Sequence, residues 1–121
     1  MKDILIVDDS KTSLKILKRI LEDEYKVYSA NSAELALEIL ERKLIDLVLM
    51  DINMPDIDGL KAVEEMKRRE RCFDVPVIFV TAVSDPMTVE RCKFLGDGYV
   101  TKPFDKQTII KKIEEVLGDM E

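Results

Sequence analysis

Three aspartates, one threonine and one lysine carry the chemical potential of this sequence. Asp8-Asp9 follow the apolar run Ile4-Leu5-Ile6-Val7, and Asp51 follows Leu47-Val48-Leu49-Met50. Thr81 closes Val77-Ile78-Phe79-Val80, and Lys102 follows Tyr99-Val100-Thr101. Each sits where a short apolar segment gives way to a polar turn. If the segments are parallel strands, all these ends converge on one edge, the edge where open α/β sheets bind ligands. Carboxylates brought together repel. A pair about 4 Å apart costs roughly 4 kcal/mol at an effective dielectric near 20. One lysine cannot offset that for three carboxylates, but a divalent cation can. Oxygen donors without histidine or cysteine favour Mg²⁺. A cation beside a carboxylate with a free oxygen sets up phosphoryl transfer, because it neutralises charge while the carboxylate attacks in line. Asp51 is then the acceptor. Lys102 binds a second phosphate oxygen and the Thr81 hydroxyl a third.

Taken singly, each residue has a plainer reading. Asp8-Asp9 could cap a helix. Asp51 could cap its own turn. Thr81 could be a strand end, and Lys102 a solvated charge. The argument for chemistry rests on their recurrence at successive strand ends.

The elements that must position these residues are legible as runs and periods. Ile4–Val7, Leu47–Met50 and Val77–Thr81 are continuous apolar runs, the habit of strands buried on both faces. Lys26–Ala30 and Tyr99–Thr101 supply two more strands. Leu14, Leu17, Ile20 and Leu21 recur at helical spacing. Asn31-Ser32-Ala33-Glu34 reads as a capping box before a helix carrying Leu37 and Leu40. Pro55 and Gly59 mark a loop after Asp51; Leu60, Val63 and Met66 then mark a third helix. Asp85-Pro86 starts a weakly patterned helix ending near Leu95. Asp105 caps a last one with the stripe Ile109, Ile110, Ile113, Val116 and Leu117, stopped by Gly118. Five unbroken strand–helix units over residues 1–121 imply one domain with a parallel sheet covered on both faces.

Composition narrows the function. The chain has 121 residues, 46% hydrophobic and 36% charged, which is globular. The net charge of −6 argues against direct nucleic-acid binding, which needs a basic face. Lys67-Arg68-Arg69 and Lys111-Lys112 are short runs among glutamates. There is no histidine, so histidine-dependent nucleophiles and histidine metal sites are excluded. Cys72 and Cys92 are too few for a zinc site and read as free, partly buried thiols of a reducing compartment. The apolar run near Met1 is too short for a signal peptide or a membrane span, so a cytoplasmic protein without membrane insertion is expected. No Gly-x-x-x-x-Gly-Lys is present, which excludes a P-loop.

With these residues in view, the sequence resembles the receiver domain of two-component response regulators, from about Lys2 to Leu117. The marks are Asp8-Asp9, Asp51 with Met54-Pro55 and Asp58-Gly59, Thr81-Ala82, and Lys102-Pro103-Phe104. The resemblance implies a flavodoxin-like αβα sandwich, five parallel strands in order 2-1-3-4-5 with five helices. It implies that Asp51 takes a phosphoryl group from a phosphohistidine on a sensor histidine kinase or phosphotransfer protein. Asp9, Asp51 and the backbone carbonyl of Asn53 would bind Mg²⁺, with Asp8 acting mainly through water. Lys102 would contact the phosphate. Thr81 and Tyr99 would switch the face of helix four, strand five and helix five toward a downstream protein target. The Lys102–Pro103 bond would be cis.

Two departures from the family pattern bear on behaviour. Leu95-Gly96-Asp97-Gly98 replaces the usual turn before the last strand, and Gly98 could loosen it. Val83, two residues after Thr81, is apolar and is expected to slow loss of the aspartyl phosphate. So little follows Leu117 that output is expected through protein binding by a stand-alone receiver. One alternative is a receiver cut from a DNA-binding or enzymatic regulator. Another is a haloacid-dehalogenase-type phosphatase, whose Asp-x-Asp after the first strand Asp8-Asp9-Ser10 does not match.

Overall fold

The computed structural model describes residues 1–54 and 58–118. Among these residues ten elements alternate: β1 (Asp3–Val7), α1 (Lys11–Leu21), β2 (Lys26–Ala30), α2 (Ala33–Arg42) and β3 (Leu47–Met50), then α3 (Gly59–Lys67), β4 (Val77–Thr81), α4 (Pro86–Leu95), β5 (Gly98–Thr101) and α5 (Lys106–Leu117). The five strands form one parallel sheet in the order β2-β1-β3-β4-β5. This is the flavodoxin-like architecture that the resemblance implied.

The apolar runs of β1, β3 and β4 are continuous because both sheet faces are covered. Leu5, Val7, Val48, Met50, Val77 and Phe79 point to one side, where Ala33, Ala36 and Leu40 of α2, Leu60, Ala62, Val63 and Met66 of α3, and Cys92 of α4 close over them. Their neighbours Ile4, Ile6, Leu47, Leu49, Ile78 and Val80 point to the other side, against Leu17 and Leu21 of α1 and Ile109 and Ile113 of α5. The strand period of two thus feeds two separate cores.

Local chemistry sets the helix starts. Ser10, Ser32, Asp58, Asp85 and Asp105 are the N-caps, each accepting a backbone N–H three residues on. The cap of α2 is therefore Ser32, not Asn31, which puts Leu35 rather than Glu34 three residues after the cap. Ser32 and Asn31 are both able caps, and they stand side by side. Gly118 ends α5 in the left-handed region at φ 68°. The weak pattern of α4 is physical, since Cys92 is its one buried residue.

Two other expectations are corrected. Cys72 and Cys92 are free but fully rather than partly buried. Gly98 does not loosen its strand; it pairs with Ile78 in the ladder, under the Lys112 methylenes. Asp97 pins the preceding turn, its N–H donating to the Val77 carbonyl (2.7 Å) and its carboxylate accepting the Val77 N–H (3.0 Å). Pro55, expected in the loop after Asp51, lies outside the described residues. Among those described, no helix is long and apolar enough to cross a membrane.

Candidate functional site

The strand ladders each run one residue past their strands. Asp8 N–H donates to the Ala30 carbonyl (3.1 Å), Asp51 N–H to Val7 (2.9 Å) and Lys102 N–H to Thr81 (3.0 Å). These bonds hold the backbones of Asp8, Asp51 and Lys102 on one carboxyl edge, beside Thr81 at the end of β4. The pairing of Val7 with Met50 sets Asp8 and Asp51 side by side.

Asp8, Asp51 and Thr81 are the buried polar residues of the described chain, whereas Asp9 is exposed. One oxygen from each of Asp8, Asp9 and Asp51 lies within 4.8 Å of the others. Asp8 is already engaged on both oxygens: Oδ1 accepts the Ser10 N–H (2.9 Å) and Oδ2 meets Lys102 Nζ at 2.6 Å. Asp51 is held by the Ile52 N–H on Oδ1 (2.8 Å), while Oδ2 stands 3.7 Å from Lys102 Nζ. Burial raises the Asp51 pKa above its ordinary value. Lys102 opposes that shift, Asp8 adds to it, and hydrogen bonds from Thr81 and the Ile52 amide oppose it. The pocket is thus short of positive charge. Its donors are all oxygens, which fits a hard divalent cation of the Mg²⁺ type.

All the sequence-predicted side chains except Tyr99 meet at this edge. Asn53 follows Asp51 by two residues and is exposed. Tyr99 lies on edge strand β5, half-buried against the core. Val83 connects it with Thr81. The Val83 N–H donates to Thr81 Oγ1 (3.3 Å), and the Tyr99 hydroxyl donates a short bond to the Val83 carbonyl. Burial pushes the Tyr99 phenol up, with Cys92 and Asp85 adding to it, so the hydroxyl keeps its proton to donate. The Lys102–Pro103 peptide is cis, as the resemblance implied.

Sequence reasoning missed two contributors. Val83 enters the sequence reading through its side chain, yet its backbone N–H and C=O, in two successive peptides, make the two bonds. Gly59 was read as a loop marker, yet it opens α3 against the Asp51 carbonyl. An Asp-Gly pair at a helix start was the available signal.

A model of the response regulator receiver domain family matches residues 4–114. The chain belongs to the response regulator receiver family. It is 36% identical to the chemotaxis protein CheY of Halobacterium salinarum, over 96% of this chain and 97% of that one. It is 35% identical to the response regulator SaeR of Staphylococcus aureus, over 99% of this chain but 52% of that protein. A probable cyclic di-GMP phosphodiesterase of Vibrio cholerae is 40% identical over 83% of this chain and 23% of its own length. This receiver thus spans nearly all of one relative and a fraction of the others. Among solved structures, a CheY-like receiver domain protein of Methanospirillum hungatei superposes with a TM-score of 0.90 at 30% identity, covering 98% of this chain and 95% of that one.

Proposed function

We propose that this receiver accepts a phosphoryl group on Asp51 from a phosphohistidine of a sensor histidine kinase or phosphotransfer protein in the cytoplasm. The observation that carries the reading is the Asp8–Asp9–Asp51 cluster, with Lys102 the nearby cation. Asp9, Asp51 and the Asn53 carbonyl would hold Mg²⁺, with Asp8 acting mainly through water. The bound ion supplies charge neutralisation at the transferring phosphoryl group. Asp51 Oδ2 attacks the phosphorus, the bond to the donor imidazole breaks, and the imidazole leaves with the electron pair. Asp51 Oδ1 stays oriented by the Ile52 N–H. Lys102 exchanges part of its contact with Asp8 for a phosphate oxygen.

The readout follows from the bonds at Val83. A phosphoryl group on Asp51 competes for the Thr81 hydroxyl, which then turns away from the Val83 N–H. The backbone at Val83 is then free to move, and the hold of its carbonyl on the Tyr99 hydroxyl changes. This biases the face made by α4, β5 and α5 between two states. Met87 and Phe94 are exposed apolar side chains on α4, which suits docking of a downstream protein. Titration with beryllofluoride and Mg²⁺ tests the reading. Amide resonances of Thr81, Val83 and Tyr99 are expected to shift together, and Tyr99→Phe to uncouple α4 from the site. Shifts confined to the residues around Asp51 would contradict the switch.

A second reading concerns the output. Matches that cover 52% of SaeR and 23% of the phosphodiesterase fit a receiver working as the input module of a longer regulator. Gene length and a search for a following domain separate it from stand-alone action.

A further inference from the structure

We propose that Gly59 is a positioning residue for phosphoryl transfer, acting on the Asp51 carboxylate through the Asp51–Ile52 peptide; this rests on the reading of Asp51 as acceptor. Gly59 is the first residue of α3, and its N–H donates to the Ile52 carbonyl at 2.8 Å. A Cβ at this position would lie 2.1 Å from the Asp51 carbonyl oxygen, 2.9 Å from its carbonyl carbon and 2.9 Å from Ile52 Cα. All three atoms are backbone, so no side chain can swing aside. The methyl would have to push the Asp51–Ile52 peptide away by about 1 Å to reach ordinary contact.

That peptide carries the N–H that fixes the acceptor. Ile52 N–H donates to Asp51 Oδ1 at 2.8 Å and thereby aims Oδ2 toward Lys102 and the open edge. Displacing the peptide releases Oδ1 and rotates the carboxylate. The side-chain-free start of α3 is thus what lets helix and acceptor approach this closely. Gly59 is not needed for a left-handed turn, since the glycine with positive φ in the described chain is Gly118.

The inference opposes the usual rule for helices, where alanine in place of glycine stabilises. Gly59→Ala is compared with wild type and with Gly118→Ala, a control that strains the end of α5 away from the site. The readouts are the rate of Asp51 labelling by acetyl phosphate at saturating Mg²⁺ and hydrogen exchange of the Ile52 amide. Gly59→Ala is expected to lower the labelling rate on the order of ten- to a hundredfold, as misplacement by about 1 Å does in enzymes. It is also expected to speed Ile52 exchange selectively. Gly118→Ala is expected to lower the thermal midpoint with neither effect. If Gly59→Ala does not fold, Asp58→Ala serves instead. It removes the cap bond to the Lys61 N–H (2.8 Å) and loosens the start of α3 without adding a methyl. It is expected to raise Ile52 exchange and slow labelling by a smaller factor. Wild-type labelling and Ile52 protection in the folded variant both unchanged would overturn the inference. Failure of wild type itself to label would overturn the acceptor reading instead, and Ile52 exchange would still decide the role of Gly59.

Discussion

Replacing Asp51 with asparagine should stabilise the protein when Mg²⁺ is absent, although it removes the proposed acceptor. At an effective dielectric near 20, Asp8, within 4.8 Å, repels an ionised Asp51 by about 3.5 kcal/mol, and Lys102, at 3.7 Å, attracts it by about 4.5 kcal/mol. The two nearly cancel. Asp9 is exposed and well screened. What remains is burial, the leading cause of the raised Asp51 pKa in a side chain only 9% exposed. Keeping Asp51 ionised in this buried position costs the folded state, and asparagine removes that cost, so Asp51→Asn should be more stable than wild type at neutral pH. In a chain of this size each kcal/mol so gained raises the thermal midpoint by about 3–6 °C. Asparagine keeps an Oδ1 to accept the Ile52 N–H, so the local backbone should hold.

The pH dependence has a definite sign. The folded protein holds the Asp51 proton more tightly than the unfolded chain does. The stability this gives wild type is fully present below the ordinary carboxylate pKa and is lost as pH rises through the raised value. Asparagine does not titrate. The advantage of the variant should therefore be near zero at acid pH, grow across that window and then stay level. Thermal melts of both proteins in chelator, at several pH values, read this directly. A variant less stable than wild type at neutral pH would refute the reasoning, because the Lys102 attraction would then outweigh burial. An advantage that persisted unchanged into acid would refute it too.

Mg²⁺ should raise the wild-type midpoint by about 2.7 kcal/mol of stabilisation at a concentration one hundred times its Kd, and raise that of Asp51→Asn less; titrated melts check this. Lys102→Met leaves the buried Asp8 carboxylate without its cation, and should cost about 2–4 kcal/mol in urea denaturation while slowing labelling from a small phosphodonor. Val83→Glu should speed hydrolysis of the aspartyl phosphate, followed by loss of label over time; an unchanged or slower loss would contradict the role given to the Val83 side chain.

The sheet was legible because its strands are short apolar runs buried on both faces, such as Leu47–Met50. The site was legible because those runs end in groups that a core would reject. What stayed hidden depends on contacts between distant positions. Lys102 meets Asp8 across 94 residues of sequence, and only a parallel topology brings them together. The Val83 carbonyl that receives the Tyr99 hydroxyl is a backbone group, so no residue type announces it. The same holds for Gly59, whose value is the absence of a methyl at one crowded point. The helix α4 gave a weak pattern because a single residue, Cys92, is buried on it. The α2 cap was misplaced by one residue because two able caps stand side by side.

The central claim is that Asp51 is the phosphoryl acceptor. The direct measurement is mass spectrometry of the protein after incubation with a small-molecule phosphodonor and Mg²⁺, with the modified residue trapped and located by peptide mapping. One phosphoryl group on Asp51 is expected, lost when Mg²⁺ is chelated and absent from Asp51→Asn. No label on wild type, or equal label on Asp51→Asn, would contradict it.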